Sequence, residues 1–262
     1  MRARRALVIA LLSIVGCKPN APPPPTTREP FTSGEQLLEA MQNRYAGRWY
    51  RSITFVQTST AIAPDGKETT SIWYEAALLP SRLRIDYDPI TAGNGVLVRA
   101  DSQYVMQRGS VVRTIARTNE LLLLGFDVYF LDPKFTAEWL RRLGFDLSKI
   151  RQDEWEGRSV YVVGANDRSD SRSRQFWIDR ENMLFIRMIA PAQDGSGTED
   201  IRFANYERIG RAWVAPRVEV YKEGKLVFRE NYQHIRIDSP LDVAMFDPNS
   251  WATAKHWYQD RQ

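Results

Sequence analysis

The amino-acid sequence predicts a mainly β protein: a meander of about eleven to thirteen antiparallel strands accompanied by three helices. Three observations support this prediction. From Trp49 onward, apolar and polar residues alternate with a period of two in many short runs. Turn signals such as 64–67 (Pro-Asp-Gly-Lys) and 222–224 (Lys-Glu-Gly) separate the runs. Only three segments show helical spacing of apolar residues.

The first predicted element is a helix over about 33–46. Thr32 and Glu35 have the spacing of a capping box, with Thr32 as the N-cap and Glu35 reaching back to it. Four apolar residues then recur on one helical face: Leu37, Leu38, Met41 and Tyr45.

Strands follow in order along the chain. Alternation from Trp49 to Gln57 predicts the first strand, and the turn at 64–67 predicts a hairpin to a second strand over 68–79. The further predicted strands cover 82–87, 95–100, 103–107, 111–116, 151–155, 159–163, 174–179, 184–190, 199–207, 212–221 and 225–236. On the third strand Leu83, Ile85 and Tyr87 share one face, whereas Arg82, Arg84 and Asp86 share the other. We therefore expect one face of the sheet to be solvated.

Two helices interrupt the strands. They are predicted at about 118–130 and about 134–143, where Pro133 could open the second helix and Gly144 could end it. The first of them is apolar nearly all round, from Leu121 to Phe130. We expect it to cover the apolar face of the sheet as a lid.

The N-terminus has the features of an export signal. Arg2, Arg4 and Arg5 precede an apolar run over 6–15, which is shorter than a membrane-spanning helix. Residues 14–17 (Ile-Val-Gly-Cys) resemble the lipobox of bacterial lipoproteins. This resemblance implies a signal peptide over 1–16, lipidation of Cys17, and a proline-rich spacer over 17–30 before a domain over 31–262. An ordinary signal peptide and an uncleaved N-terminal anchor are the alternatives. Lys18 after the cysteine favours the periplasmic face of the outer membrane over retention at the inner membrane.

Charge and cysteine content exclude some classes of protein. The chain has 36 basic and 32 acidic residues, but three of the basic residues lie within the first 16. Cleavage would leave a nearly neutral domain, and 167–174 interleaves acidic and basic residues, so we expect no nucleic-acid partner. Cys17 is the only cysteine, so no disulfide can form within the chain.

Signals of catalysis are weak. His234 and His256 are the only histidines, and no motif of a metalloprotease, a redox dithiol or a serine hydrolase accompanies them. Asp153, Glu154 and Glu156 are neighbours near a turn, as in a solvated edge. We therefore predict a protein without enzymatic activity, metal or cofactor.

Several stretches resemble the LolA/LolB-like superfamily of outer-membrane lipoprotein-sorting proteins. These are 71–74 (Ser-Ile-Trp-Tyr), 80–85 (Pro-Ser-Arg-Leu-Arg-Ile), 95–98 with 101–105, 176–179 with 184–187, and 232–248, which ends in Phe246, Asp247 and Pro248. The resemblance implies an unclosed, half β-barrel with the helices as its lid, which holds acyl chains in an apolar hollow. It also implies that Arg51, near the first strand, contacts the helices and controls the lid.

These observations lead to three functional hypotheses. The first is a lipid-anchored periplasmic protein that binds acyl chains of a lipid or lipoprotein, for which we name cavity candidates from the apolar alternation: Tyr74, Leu83, Ile85, Tyr87, Val98, Tyr104, Met106, Leu123 and Phe126. The second is a structural or assembly lipoprotein that docks an envelope protein partner and binds no lipid. The least favoured is an envelope hydrolase.

Overall fold

The computed structural model of the protein describes residues 31–192 and 195–258. The predicted signal peptide, Cys17 and the proline-rich spacer lie outside these residues. The α-helices are α1 (Gly34–Tyr45), α2 (Glu120–Gly125) and α3 (Pro133–Arg142). The strands are β1 (Ser52–Ile62), β2 (Glu68–Leu78), β3 (Arg82–Tyr87), β4 (Gly95–Arg99), β5 (Ser102–Gln107), β6 (Ser110–Ala116), β7 (Ile150–Trp155), β8 (Arg158–Val163), β9 (Gln175–Asp179), β10 (Phe185–Pro191), β11 (Thr198–Ala204), β12 (Glu207–Ile209), β13 (Ala212–Val214), β14 (Arg217–Lys222) and β15 (Lys225–Ile237).

One antiparallel sheet of 13 strands forms the framework, in the order β6-β5-β4-β3-β2-β1-β15-β14-β11-β10-β9-β8-β7. Two meanders, one from each half of the chain, join where the first strand pairs with the last, for example Gln57 with Tyr232. The sheet is not closed, because β6 and β7 form its two ends. The predicted mainly β fold with an open sheet and helices is therefore confirmed. The short pair β12–β13 forms a separate ribbon.

Helix α1 starts one residue later than the capping box predicts. Ser33, and not Thr32, is the N-cap, and its side chain accepts a hydrogen bond from the Gln36 backbone N–H. Gln36 instead accepts hydrogen bonds from the backbone and hydroxyl of Thr32. Gly34 lies so close to β8 that a Cβ there would be 2.8 Å from Val163 Cγ1. A side chain at this position would push α1 away from the sheet.

The three helices cover one face of the sheet, which we call the inner face. Helix α1 packs against α3 and against a 3-10 turn at Asp127–Tyr129, and α2 packs against β10. The main hydrophobic core lies between these helices and the inner face, and it contains large side chains that are almost fully buried, among them Leu37, Met41, Tyr129, Phe176 and Phe185. Most of the space under the helices is therefore filled by the protein itself.

The C-terminal segment, residues 241–258, covers the opposite or outer face over β2–β5. It contributes Met245, Phe246 and Trp251 to a second buried cluster, which also contains Leu97 and Met106 of the sheet. A third cluster lies farther along the outer face, around Trp177. Within the described residues no helix is both long and apolar enough to cross a membrane.

The expectation that the Arg84 face of β3 is solvated is wrong. Arg84 and Asp86 are 3% and 1% exposed, because the C-terminal segment lies over them. Arg84 makes a bidentate pair with Asp86 at 2.8 and 2.9 Å and donates hydrogen bonds to the carbonyls of Met245 and Trp251. His256 Nε2 lies 3.0 Å from Asp86 Oδ2. Burial of these charges is possible because each one has a hydrogen-bonded partner.

Candidate ligand-binding site

A hollow of about 110 Å³ remains between α2 and the inner face. Its walls come from β1, β2, β3, β11, β14, β15 and the α2 region. The lining residues are Phe55, Trp73, Glu75, Ala77, Leu83, Ile85, Asn119, Leu121, Leu122, Phe126, Phe203, Val218, Glu230 and Tyr232. Most of these side chains are apolar, so the hollow suits an apolar ligand group.

Local contacts hold α2 over the hollow. Asn119 caps the helix, since its Oδ1 accepts hydrogen bonds from the backbone N–H groups of Leu121 at 3.0 Å and Leu122 at 2.9 Å. Gly125 lets the end of the helix approach the ring of Phe203, because a Cβ there would be 2.9 Å from Phe203 Cε1. The short helix is therefore positioned by a cap at one end and by close packing at the other.

The 3-10 turn after α2 is tied to the β2–β3 turn by a buried carboxyl group. Asp127 is 2% exposed, and its carboxyl oxygens accept hydrogen bonds from the backbone N–H and the hydroxyl of Ser81. Burial raises the pKa of Asp127 to about 7, and the hydrogen bonds from Ser81 only partly oppose this shift.

Phe55, Trp73 and Tyr232 contribute aromatic rings to the wall, and further rings lie directly beside it. Phe55 stacks on Tyr232 at 4.0 Å between ring centroids. Trp73 contacts Tyr87 at 5.1 Å and Phe228 at 6.0 Å. These rings come from four strands, which the sheet order places side by side.

Two acidic side chains interrupt the apolar wall. Glu75 is 5% exposed, and Glu230 Oε2 accepts a hydrogen bond of 2.8 Å from the Tyr232 hydroxyl. Burial raises the pKa of Glu75 well above its ordinary value, and the charge of Glu230 raises it further. Burial also raises the pKa of Glu230 to about 7, against the hydrogen bonds that it makes with Tyr232 and Gln57. The hollow therefore combines an apolar wall with two carboxyl groups that protonate easily.

A wider cleft of about 580 Å³ adjoins the hollow, and Leu121 and Glu230 belong to the walls of both. One side of the cleft is apolar and includes Met188, Ala190, Ile201, Val220, Val227 and Phe228. Its charged residues are Arg117, Glu120, Arg174, Glu199 and Lys222. Among these, Arg174 pairs with Glu120 at 2.6 Å and Lys222 with Glu199 at 3.3 Å. The ion pair of Arg174 connects α2 to the segment before β9.

The structure divides the nine predicted cavity residues into four groups. Leu83, Ile85 and Phe126 line the hollow. Val98 and Leu123, each 1% exposed, belong to the solid core. Tyr87 shares the inner face with Ile85 and contacts Trp73, but it does not line the hollow.

The other three candidates lie on the outer face, so the predicted lining needs correction there. Tyr74 contacts the ring of Tyr258 at 4.5 Å, and Tyr104 and Met106 pack into the cluster around Trp251. The physical reason is the phase of each strand: successive side chains point to opposite faces, and these three have the phase of the outer face. The apolar character of a residue does not tell which face of the sheet it lies on, because helices cover the inner face and residues 241–258 cover the outer face.

Sequence reasoning missed several residues of the wall: Phe55, Trp73, Glu75, Ala77, Glu230 and Tyr232. The alternation of β1 places Phe55 on one face together with Gln57, and this pattern could have identified Phe55 as a residue of the inner face. Glu75 and Glu230 gave no such signal, because an acidic residue in a strand ordinarily indicates a solvated position.

Arg51 lies immediately before β1. Its guanidinium carbon is 5.8 Å from the ring centroid of Phe130, which follows the 3-10 turn, and its backbone N–H donates to Asp238 Oδ1 at 2.8 Å. The side chain therefore contacts the helical region, as the resemblance implied. Its control of a lid stays a prediction. Across 31–192 and 195–258, no group of three or more His, Cys, Asp or Glu side chains could hold a metal ion.

Comparisons with known proteins show the fold. No protein-family model and no curated protein matches this sequence. Many solved structures are similar to the chain, including the following three. A DUF1329 family protein from Desulfovibrio piger has a TM-score of 0.54 and 15% identity, and the match covers 82% of this chain and 95% of that one. A domain from Vibrio parahaemolyticus, provisionally assigned as an outer membrane lipoprotein-sorting protein domain, has a TM-score of 0.54 and 16% identity, with 84% and 98% covered. A LolA superfamily protein from Nitrosomonas europaea has a TM-score of 0.52 and 15% identity, with 80% and 96% covered. The open sheet and its helical cover thus give this chain a LolA-like fold.

Proposed function

We propose that this protein is a lipid-anchored periplasmic binding protein that holds acyl chains of a lipid or lipoprotein under α2, in outer-membrane lipid or lipoprotein trafficking. The observation that carries the proposal is the apolar hollow closed by Leu121, Leu122 and Phe126 on the inner face of the sheet. The likeness in fold to a domain assigned to lipoprotein sorting supports it. Binding of an acyl chain requires no catalytic group, so the proposed function is not enzymatic.

The size of the hollow requires that α2 moves when a chain binds. Burial of each CH₂ group contributes about 0.8 kcal/mol, so affinity depends on how many carbons leave water. The hollow has about 110 Å³, whereas ligand sites usually have about 300–1,000 Å³. Outward movement of α2 would join the hollow to the adjoining cleft through their shared residue Leu121. We assign the control of this movement to Arg51, through its contact with Phe130.

The membrane attachment belongs to the same proposal. Cleavage after residue 16 and lipidation of Cys17 would tether the domain to the periplasmic face of the outer membrane. The spacer over 17–30 is rich in proline and would keep the domain at a distance from the bilayer. Labelling with a radioactive fatty acid, with and without Cys17→Ser, tests this part independently of ligand binding. Absence of label on the protein with the cysteine would contradict it.

The binding proposal is tested by native mass spectrometry of the full chain extracted in a mild detergent. We expect the protein to carry bound lipid or acyl mass. Ala77 lines the hollow and is 2% exposed, so Ala77→Leu fills the space without adding charge and should remove the bound mass. Ala116→Leu, at an exposed position of the edge strand β6, is the matched control and should keep it. Equal retention by both variants would contradict the site.

The alternative is an assembly lipoprotein that binds no lipid. Two observations favour it: the core under the helices is mostly filled, and β6 is an edge strand with exposed Val111 and Val112 (40% and 56%). Such an edge can pair with a strand of a partner protein. A clean protein mass in the native experiment, together with loss of a co-purified envelope protein in Val112→Lys, would favour this alternative.

A further inference from the structure

Two carboxyl groups in the wall of an apolar hollow require an explanation. Glu75 and Glu230 belong to β2 and β15, on either side of β1, and both border the hollow. Within the described residues no hydrogen bond reaches the Glu75 carboxyl, although Glu75 is only 5% exposed. Burial of a polar group without a hydrogen bond is costly and rare in native proteins. A polar group that is buried, unpartnered and directed into a cavity indicates a missing partner.

A second acceptor nearby, beside Glu75, also lacks a donor among the described residues. Gln57 is 1% exposed, and its Nε2 donates to Ser59 Oγ at 2.7 Å, whereas its Oε1 is buried without a partner. Gln57 pairs with Trp73 on one side and with Tyr232 on the other, so it lies on β1 between the two acidic strands, beside the hollow and not in its wall. The unfilled hydrogen-bonding capacity of this region is therefore mainly that of acceptors. A ligand that satisfies it must supply donors.

The aromatic rings narrow the choice of donor. Trp73, with Tyr87 and Phe228 in contact with it, and the stacked pair Phe55 and Tyr232 surround the acidic region. The faces of aromatic rings attract cations, and rings combined with carboxylates form the usual surroundings of ammonium groups. A hydroxyl group would satisfy one acceptor, whereas a primary ammonium group carries three donors and the opposite charge.

We propose that the hollow recognises an amphiphile with a primary ammonium group, which lies between Glu75 and Glu230 while its alkyl chain extends along the apolar side of the adjoining cleft. Glu230 borders both spaces, so the ammonium group would lie at their junction. This inference rests on the proposed acyl-binding function and specifies the polar group of its ligand.

The charges around the site are consistent with a cation at the junction. Tyr87 and Tyr232 are the other titratable groups near the two acids. The wall of the cleft contains Glu120, which pairs with Arg174, and Glu199, which pairs with Lys222. Arg117 also belongs to this wall. Arg174 and Lys222 thus have carboxylate partners of their own in the cleft, whereas Glu75 and Glu230 have no basic residue beside them among the residues that line the hollow.

The test is isothermal titration calorimetry of the full chain, delipidated in mild detergent, with three probes of equal chain length: octylamine, 1-octanol and octanoate. We expect octylamine to bind about tenfold more tightly than 1-octanol, because ion pairing and cation–π contacts are available only to the amine. Glu75→Gln and Glu230→Gln keep the shape of the side chains and remove their charge, so each should reduce the ratio of the octylamine and 1-octanol affinities, measured on the same variant, toward unity. The matched control Glu207→Gln, at an exposed position on β12, should leave the preference unchanged.

A second readout separates ion pairing from simple hydrogen bonding. Burial raises the pKa of Glu230 to about 7, so this carboxyl group is partly protonated near neutral pH, and an arriving ammonium ion would displace its proton. Binding of octylamine should therefore release protons, seen as a dependence of the binding heat on the ionisation enthalpy of the buffer. Binding of 1-octanol should show no such dependence.

The outcomes distinguish this inference from the proposed function. Tight binding of 1-octanol or octanoate without a preference for the amine, or amine binding without proton release, would overturn the ammonium site and leave the acyl-binding function standing. Failure of all three probes to bind would overturn the proposed function as well.

Discussion

Buried acidic residues in this protein show how the partner of a carboxyl group decides its pKa. Burial would raise the pKa of Asp86, but hydrogen bonds from His256 and Arg84 and the charge of Arg84 outweigh that effect, so its pKa lies below the ordinary value. Asp127 is buried to a similar degree, but among the described residues its carboxyl group accepts hydrogen bonds only from the uncharged Ser81, and its pKa rises to about 7. The contribution of Asp86 to stability is therefore lost as the pH falls, whereas the contribution of Asp127 is lost as the pH rises toward 7.

Asp127→Asn should remove a pH dependence of stability. The pKa of Asp127 in the folded protein is about 7, above its ordinary value of 3.8, so the folded state binds the proton more tightly than the unfolded state. The resulting stability is fully present below about pH 4 and is lost as the pH rises toward 7, by up to about 1.4 kcal/mol per pH unit. Asparagine cannot ionise, so the variant should gain stability relative to the wild type between pH 5 and pH 8, as measured by urea unfolding.

The exposed Asp65, in the turn of the β1–β2 hairpin, provides the control for this prediction. Asp65→Asn makes the same chemical change at an exposed position, and the gain in stability of Asp127→Asn is measured relative to it. A constant difference between wild type and Asp127→Asn from pH 5 to pH 8 would show that Asp127 does not titrate in this range.

At the scale of elements, α2 depends on its contacts more than on its own stability. A helix of six residues is far too short to be stable alone in water. Its cap Asn119, the packing of Gly125 on Phe203 and the ion pair of Glu120 with Arg174 hold it over the hollow. These contacts are few, which suits a lid that moves when a ligand binds.

Gly125→Ala should displace the end of α2. The new Cβ would be 2.9 Å from Phe203 Cε1 and 3.2 Å from Cζ, so the ring or the helix must move. Overpacking of this kind costs about 1–3 kcal/mol, measured as a loss in the free energy of unfolding. The smaller side chain in Phe203→Leu should relieve the contact, and a double-mutant cycle would detect this as positive coupling. Additive effects of the two substitutions would contradict the proposed clash.

At the scale of the whole molecule, different parts of the chain cover the two faces of one sheet. Helices α1, α2 and α3 cover the inner face, and residues 241–258 cover the outer face over β2–β5. The first strand pairs with the last, so contacts between residues far apart in sequence join the two meanders. The sheet is thus sandwiched between two covers, and only the inner cover encloses the hollow.

Trp251→Ala should loosen the packing of residues 241–258 on the outer face and leave β8 and β9 unaffected. Trp251 is 2% exposed, and its ring lies 3.8 Å from the Arg84 guanidinium carbon, so its loss should cost about 3–5 kcal/mol. Hydrogen exchange followed by mass spectrometry should show faster exchange of β3, β4 and β5 than of β8 and β9. Trp155→Ala is the counterpart in the third cluster and should reverse this pattern. Equal acceleration of both regions by both variants would contradict independent covers.

The alternation of residues in the sequence predicted most strand positions to within a few residues, since period-two patterning is a local property. Strand β3 was predicted at 82–87 and is observed at Arg82–Tyr87. The capping of α1 was predicted one residue too early, because Thr32 and Ser33 can both serve as a cap and only the packed helix selects one of them. Leu83, Ile85 and Phe126 lie beside the hollow, while their role in binding stays a prediction.

By itself, the sequence determined the mainly β architecture, the helical segments and the alternation of side chains along each strand, because these depend on near neighbours. Only the tertiary structure decided which side of each strand faces the hollow and which faces the C-terminal segment. The polar side of β3, with Arg84 and Asp86, lies buried because Trp251 and His256, more than 160 residues away, supply its cover and its hydrogen bonds. Glu75 and Glu230 likewise border the same hollow only after the first and last strands have paired. Pairing of distant segments is a property of the folded chain, and a local pattern carries no information about it.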